Sequence, residues 1–201
     1  MVLATGPFLA ETAALAGLTI ALAPTIRQRV AVPDLAAVPP AAPMTIDEET
    51  GAHWRPWLKG ALVLHTDPAT APGLPSWSPA GTAEAAFRLL DPASPVSVAR
   101  ISPFWADAWR SGGVPFSVQA GQYEITPDHR PYVSPSAIDG LWLNGGYSGH
   151  GVMGSAGGSR LLIDLVTGRS TAPAGGLTAD SDGRSPFRVD RTFEERERDV
   201  L

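Results

Sequence analysis

The 201-residue sequence predicts an α+β fold, in which a mixed α/β part is interrupted by an antiparallel sheet. Two short apolar runs beside glycine, "MVLATG" at the start and "GLWLN" further along, are typical of buried strands in one sheet. Between them, "TIRQRVAV" and "HWRPWLKGALVLHT" are rich in strand-forming residues and predict antiparallel strands. We therefore expect strand Val2–Ala4 to lie beside strand Leu141–Asn144, with a sheet from about Thr19 to Pro115 inserted between them.

The composition restricts the class of protein. Hydrophobic residues make up 44% and charged residues 17% of the chain, which is typical of a globular protein. The formal net charge of -5 argues against nucleic acid as a partner. The chain has no cysteine, which excludes disulfides and thiolate metal sites and favours a reducing compartment, so we expect a cytoplasmic protein. The apolar start has no basic residue before Arg27 and contains Glu11, so it predicts neither a secretory signal nor a membrane span.

Glycine and proline mark the limits of the remaining elements. Pro7 and Gly17 bound a predicted short helix, and Lys59-Gly60 is the expected turn of a hairpin. The segment "PDHRPYVSP" predicts a turn-rich crossing, and residues 170–201 predict a low-complexity tail with a charged end. Three further helices are predicted over "AEAAFRLL", "VSVARISPFWADAWRSGG" and "SAGGSRLLIDLVTG".

A glycine-rich turn precedes the last predicted helix. Gly149, Gly151 and Gly154 form a G-x-G-x-x-G pattern after a predicted strand. A dinucleotide-binding unit also needs a second parallel strand ending in an acid, and "RSTAPAGGLTADSDG" after the helix cannot form a buried strand. The Rossmann interpretation therefore fails, but a glycine turn before a helix N-terminus still stabilises negative charge on a ligand.

The segment from Tyr123 to Gly168, "YEITPDHRPYVSPSAIDGLWLNGGYSGHGVMGSAGGSRLLIDLVTG", resembles the C-terminal portion of FAD-dependent amine and amino-acid oxidoreductases. These form the D-amino-acid oxidase superfamily, and the resemblance is greatest to its sarcosine oxidase and dimethylglycine dehydrogenase branch. The pattern aromatic-E-x-T-P-D-x-x-P followed by G-[YF]-S-G-H-G carries it. "MVLATGPF" resembles the segment where the chain leaves the family's FAD domain, and "TIRQRV" and "HWRPWLKGALVLHT" resemble the sheet of its substrate domain.

The resemblance implies a truncated two-domain oxidoreductase. It assigns 1–18 to an FAD-domain remnant, 19–116 to the substrate domain, 117–169 to a C-terminal FAD-domain segment and 170–201 to a tail. The N-terminal Rossmann unit of the family has no counterpart in this sequence. Either a misplaced start codon or a partner subunit carrying that unit would explain this, and we expect the chain alone to be colourless because it lacks the adenine and pyrophosphate site.

The resemblance also implies the cofactor site. FAD would be bound without a cysteinyl link, because Gly121 stands where monomeric sarcosine oxidases carry the cysteine and the chain has none. No metal is expected, and no nucleic acid or membrane partner. The residues implied to contact FAD are Thr5, Gly6, Gly145, Gly146, Tyr147, Ser148, Gly149, His150, Gly151 and Val152.

Three residues are candidates for the chemistry. His150 is the catalytic candidate, because the resemblance places it beside the flavin, where an imidazole can tune the protonation of a substrate amine. The alternative is a structural histidine bonded to nearby backbone. Tyr123 stands where glycine oxidases use an arginine for the substrate carboxylate; it cannot form that fork, and it either contacts the substrate or only packs. Met153 stands where sarcosine oxidases place a lysine, so both positions put sarcosine itself in doubt.

Two functional classes remain open. The first is an oxidoreductase that transfers a hydride from the C–N bond of an amine or amino acid to FAD. The second is a non-catalytic truncated chain or partner subunit that binds no FAD by itself. Asp128 is expected to cap a turn rather than to belong to a catalytic triad. Any of Arg27, Arg29 and Arg55 remains open as a contact for an acidic substrate.

Overall fold

Two separate sheets organise the structure, a computed structural model that describes residues 1–169 and 185–193. These residues divide into two compact units. The loop unit consists of Met1–Thr25, Pro72–Ser76 and the described residues from Gln122 onward, and the sheet unit consists of Ile26–Ala71 and Trp77–Gly121. The four predicted domains stay a prediction, and the predicted low-complexity and charged parts of the tail lie outside the described residues.

The described residues form eight strands and four α-helices, together with 3-10 helical turns over Gly6–Phe8 and Val98–Arg100. The strands are β1 (Val2–Leu3), β2 (Ala23–Val32), β3 (Thr45–Ile46), β4 (Ala52–Trp57), β5 (Gly60–His65), β6 (Ser117–Ile125), β7 (Tyr132–Pro135) and β8 (Trp142–Gly145). The helices are α1 (Leu9–Ala14), α2 (Ala83–Leu90), α3 (Phe104–Arg110) and α4 (Gly151–Val166).

The sheet of the loop unit has the order β1-β8-β7. Strands β1 and β8 are parallel, with Val2 opposite Trp142 and Leu3 opposite Leu143. This confirms the prediction that the first apolar run lies beside "GLWLN". Because both faces of a parallel pair need cover, α1 buries its apolar side against this sheet. The resulting core consists of Leu9, Ala13, Ile20, Tyr132 and Leu143.

Strand β7 corrects the prediction of a turn-rich crossing at "PDHRPYVSP". It pairs antiparallel with β8, with Tyr132 opposite Gly145 and Pro135 opposite Trp142. Pro131 and Pro135 are strong local turn signals in the sequence. Proline is nevertheless compatible with an edge strand, and here the prolines stand just before β7 and at its last residue. The burial of Tyr132 and Val133 outweighs the local turn signal.

The sheet unit contains a five-stranded sheet of order β3-β4-β5-β2-β6. The hairpin between β4 and β5 turns through Leu58 and Lys59, because Trp57 pairs with Gly60. The predicted turn at Lys59-Gly60 is thus displaced by one residue. Gly60 is needed for another reason: the Val32 carbonyl lies where a Cβ on Gly60 would stand. The buried apolar residues of this core include Val30, Val32, Trp54, Val63, Leu90 and Trp105.

The helices agree with their predicted positions in part. Helix α2 matches the prediction, whereas the segment containing Trp105 divides at Ser102 because Pro103 starts a new helix, α3. Helix α4 begins at Gly151, earlier than "SAGGSRLLIDLVTG" predicts. Within residues 1–169 and 185–193, no helix combines the length and apolar character needed to cross a bilayer.

Candidate functional site

The segment Gly145–Val152, here called the 145–152 loop, runs from the last residue of β8 to the second residue of α4 and has an unusual backbone. Gly146, Ser148 and Gly149 adopt φ values of +72°, +52° and +92°. A non-glycine residue such as Ser148 rarely occupies this left-handed region unless its surroundings impose it. The Ser148 backbone N–H donates to the Glu124 carbonyl at 3.2 Å, and its hydroxyl accepts from the Thr126 N–H at 3.1 Å. Strand β6 and the turn after it therefore hold the strained residue in place.

Two glycines of the 145–152 loop are required by protein packing. A Cβ on Gly146 would lie 2.6 Å from the Thr126 methyl carbon, and a Cβ on Gly149 would lie 2.5 Å from the Tyr123 ring. The structure thus brings Tyr123 against Gly149, while 39% of Tyr123 remains exposed. Tyr123 and the 145–152 loop are therefore neighbours.

Tyr147 explains the glycines further along the motif. Its hydroxyl donates to the Asn144 side-chain oxygen at 2.5 Å. Its ring lies 3.2 Å from the position of a Cβ on Gly154, and its hydroxyl occupies the space of a Cβ on Gly158. These two α4 glycines make room for the tyrosine ring, so Gly154, the last glycine of the G-x-G-x-x-G pattern, is explained by packing within the protein.

The N-terminus of α4 has available hydrogen-bond donors. The N–H groups of Met153 and Gly154 both donate to the His150 carbonyl, at 3.1 and 2.8 Å. Those of Gly151 and Val152 have no acceptor among the described residues. The first turn carries no acidic side chain, and the Val152 side chain is 98% exposed. The partial positive charge of the helix end is therefore available to an anionic ligand.

Strand β6 places Glu124 under the start of the loop. Its Oε1 accepts the Tyr147 N–H at 3.3 Å, whereas its Oε2 is buried without a hydrogen-bond partner. Burial raises the pKa of Glu124, and the backbone N–H groups of Tyr147 and Gly146 oppose that shift only in part. The Oε2 atom lies 3.9 Å from a Cβ built on Gly6 and 3.6 Å from one built on Gly145. The Glu124 side chain therefore joins the end of β1 to the loop.

Sequence reasoning missed Glu124, although it lies within the E-x-T-P-D pattern. The alternation of side chains along β6 could have indicated it. Every second residue of the strand is the less exposed one, and Glu124 belongs to the same set as Val118, Ala120 and Gln122. A carboxylate at an inward position of a strand is unusual enough to indicate a functional or paired group.

The other predicted residues are placed as follows. The Thr5 hydroxyl bonds that of Thr12 at 2.7 Å at the start of the first 3-10 turn, and Gly6 has a φ of +57°. His150 occupies the N-cap position of α4, and its imidazole makes no hydrogen bond to the described residues. Met153 is exposed on the first turn of α4. Asp128 caps its turn as predicted, accepting the Arg130 N–H at 3.2 Å.

The family of the chain follows from comparison with known proteins. The sequence model of the FAD dependent oxidoreductase family, DAO, matches residues 1–165. The chain belongs to this family of FAD-dependent oxidoreductases, which confirms the predicted family and the α+β fold class.

Individual relatives give a more detailed comparison. D-amino acid dehydrogenase 2 of Ralstonia nicotianae is 44% identical over 55 residues, covering 27% of this chain and 13% of that protein. D-amino acid dehydrogenase of Methylobacterium nodulans is 39% identical over 69 residues, covering 32% of this chain and 16% of that protein.

Solved structures show the same fold. Glycine oxidase from Geobacillus kaustophilus superposes with a TM-score of 0.70 at 20% identity, over 96% of this chain and 45% of that one. Iminodiacetate oxidase from a Chelativorans species gives 0.63 at 19% identity, over 83% and 42%. The chain therefore spans less than half the length of these relatives.

Proposed function

We propose that this chain is the part of an FAD-dependent oxidoreductase that holds the redox end of the flavin and the substrate, and that the enzyme oxidises the C–N bond of an amine or amino acid. When bound, FAD supplies the redox chemistry by accepting a hydride from that bond. The observation that carries the proposal is the α4 N-terminus, where the Gly151 and Val152 N–H groups have no acceptor among the described residues and no acidic side chain offsets them.

The donor set fits an anionic flavin ring. Backbone N–H groups fixed at a helix N-terminus stabilise negative charge without reorganisation, which favours the reduced cofactor. The positive φ values at Gly146, Ser148 and Gly149 give the loop its shape, and contacts with Tyr123 and Thr126 fix it. FAD would be held by Thr5, Gly6 and the 145–152 loop, without a cysteinyl bond because the chain has no cysteine.

His150 is proposed to hold or accept the proton of the substrate amine. Only an unprotonated amine readily gives up a hydride, and an imidazole within hydrogen-bond reach of the amine can hold or accept its proton. The absence of a hydrogen bond from this ring to the described residues leaves its nitrogens available. Tyr123, which lies against Gly149, and Met153, which is exposed on the first turn of α4, are proposed to contact the substrate.

The substrate class is proposed from the relatives. Their names refer to D-amino acids, glycine and iminodiacetate, which are all amines that carry a carboxylate. Tyr123 offers one hydroxyl rather than a guanidinium fork, so the carboxylate needs another cationic group. Arg27, Arg29 and Arg55 remain the open candidates. A cytoplasmic location and the sarcosine oxidase branch stay predictions.

A second candidate function rests on the share of the related enzymes that this chain matches. Because the chain spans 45% of glycine oxidase, the adenine and pyrophosphate site of FAD would come from a preceding segment or a partner subunit. In that case the chain alone contributes the loop and the substrate sheet but does not retain FAD.

The test uses the chain completed with an FAD-binding half, in anaerobic stopped-flow reduction by an amino acid. His150→Asn should retain bound flavin and slow its reduction by about 100- to 10,000-fold, with an altered pH dependence. Arg160→Gln, which removes the exposed arginine of an ion pair with Asp164 on α4, is the control and should reduce at the parental rate. A parental rate for His150→Asn from about pH 6 to 9 would show that the histidine is only structural.

A further inference from the structure

We propose that Arg191 is a positioning residue for the 145–152 loop: it fixes Asp128, and through Thr126 it fixes Ser148. The inference rests on the proposed function only in giving the loop its role. It assigns a purpose to residues 185–193, which the sequence predicted to be part of a tail.

The guanidinium of Arg191 is fully enclosed. The side chains of Arg191 and Asp128 are 1% and 4% exposed. Nε and Nη2 donate to the two carboxylate oxygens at 2.8 and 2.7 Å, which is the bidentate geometry that only arginine provides.

The remaining donors of Arg191 bind the backbone. Nη2 donates to the Arg130 carbonyl at 2.7 Å, and Nη1 donates to the carbonyls of Arg188 at 2.8 Å and Pro131 at 3.4 Å. All five N–H groups are thus used. The guanidinium carbon also lies 4.5 Å from the centre of the Tyr132 ring. The arginine binds the whole 128–131 turn, and its conformation is therefore tied to that turn.

Short contacts lead from this turn to the loop. The Thr126 hydroxyl donates to the Arg130 carbonyl at 2.9 Å and lies 3.2 Å from the Ser148 hydroxyl. The Thr126 N–H donates to the same Ser148 oxygen at 3.1 Å, and the Thr126 methyl group lies against Gly146. A shift of the turn must therefore move the contacts that hold Ser148 at its φ of +52°.

Burying the ion pair between Arg191 and Asp128 costs desolvation free energy, so attachment of residues 185–193 is a poor explanation for it. Apolar side chains of similar volume commonly give equal or greater stability, so a buried pair is better explained by the geometry that it specifies. Burial alone would raise the pKa of Asp128; the hydrogen bonds and charge of Arg191 outweigh burial and lower it, which keeps the carboxylate ionised.

The substitution Arg191→Lys distinguishes a positioning role of Arg191 from a role in simply attaching residues 185–193 to the loop unit. Lysine retains the charge, but it cannot bond both carboxylate oxygens and three carbonyls at once. Arg191→Lys should therefore leave the ion pair partly formed while releasing the turn. Thr126→Val removes the hydroxyl contacts to the Arg130 carbonyl and to Ser148 further along the same path, with little change in shape.

The experiment is hydrogen exchange of the complete 201-residue chain, measured by mass spectrometry. Arg191→Lys is expected to speed exchange of the bonded loop amides of Tyr147, Ser148 and His150 by about tenfold or more and to leave the amides of paired β1 and β8 unchanged. Thr126→Val should speed loop exchange similarly, and the double variant should exceed neither single variant by much, because both act on one path. Arg160→Gln should change nothing.

Three results would overturn the inference: an unchanged loop in folded Arg191→Lys, equal acceleration throughout the loop unit, or effects of the two substitutions that multiply. If Arg191→Lys does not fold, Thr126→Val decides alone, because an unchanged loop in that variant removes the path. Since no flavin is present, failure here leaves the proposed function standing, whereas failure of the flavin experiments leaves the coupling standing.

Discussion

Two carboxyl groups on either side of Thr126 have opposite environments. Asp128 is buried with a guanidinium on both of its oxygens, and the pKa of its carboxyl is lowered. Glu124 has one buried oxygen without a partner, and the pKa of its carboxyl is raised because burial outweighs its backbone hydrogen bonds. Both residues belong to one short sequence motif. In the structure, however, Asp128 forms a complete ion pair, whereas Glu124 keeps one oxygen without a hydrogen bond.

The difference in hydrogen bonding between Asp128 and Glu124 indicates that the first supports the structure and that the second lies at the proposed cofactor site. Both carboxylate oxygens of Asp128 accept hydrogen bonds from Arg191, which lies in the described residues 185–193. The Glu124 side faces Gly6 and Gly145, both of which we propose to contact the cofactor. Incompletely bonded buried groups with shifted pKa values are concentrated at functional sites, and a fully bonded network is typical of a structural support.

The largest expected effect comes from removing the anchor. Arg191→Gln leaves Asp128 buried without a charged partner and should destabilise the chain by about 3–5 kcal/mol. Adding Asp128→Asn should recover part of this loss, because the unpaired charge is gone. Urea denaturation measures all three variants, with Arg160→Gln expected within about 0.5 kcal/mol of the parent. A loss below about 1 kcal/mol for Arg191→Gln would mean that the pair does not anchor this segment.

The next effect concerns the shape of the loop. Gly149→Ala combines a φ of +92° with a clash against the Tyr123 ring, and should cost about 1–3 kcal/mol. Gly112→Ala is the matched control, since Gly112 has a φ of +72° but open space around its Cβ position. The control should lose less stability by about 1 kcal/mol or more. Equal losses would indicate that only the backbone conformation, and not contact with Tyr123, requires the glycine.

The two carboxyl groups should also respond oppositely to pH. The raised pKa of Glu124 means that the folded state favours its protonated form, so its contribution is full below the usual glutamate range and is lost as pH rises through the folded pKa. Glu124→Gln should therefore gain stability relative to the parent as pH increases. Denaturation from about pH 4 to 8 measures this, and a constant difference would contradict the raised pKa.

The contribution of Asp128 to the free energy of unfolding depends on pH in the opposite direction. The lowered pKa of Asp128 means that its contribution is present above the usual aspartate range and is lost as pH falls through the folded pKa. The stability difference between the parent and Asp128→Asn should therefore shrink towards acid. If both carboxyl variants shift in the same direction with pH, the contrast between the two environments is wrong.

The sequence predicts these regions unequally. The β1–β8 pair and helix α2 follow from local apolar patterns, and the 145–152 loop follows from its glycines and the family motif. Strand β7 was missed because its prolines give a strong local turn signal while its pairing depends on Trp142 and Gly145. Glu124 lies within the motif, but its position beside Gly6 and Gly145 depends on the fold and cannot be seen in the local sequence. Arg191 was missed because its partner lies 63 positions away, beyond any local pattern.

The central claim, that the N-terminus of α4 stabilises an anionic flavin, is tested most directly at Val152. An aspartate at this exposed first-turn position should stabilise the helix by about 0.3–1 kcal/mol but repel a negatively charged ring, whereas asparagine has nearly the same shape without the charge. The reduction potential of the bound flavin is measured in the chain completed with its FAD-binding half, because only the reduced ring is anionic. We expect Val152→Asp to bind reduced relative to oxidised flavin about tenfold more weakly than Val152→Asn, which lowers the potential by about 30 mV, while unfolding at an equal or higher temperature. Equal potentials in the two variants would contradict the claim that this helix end faces the flavin.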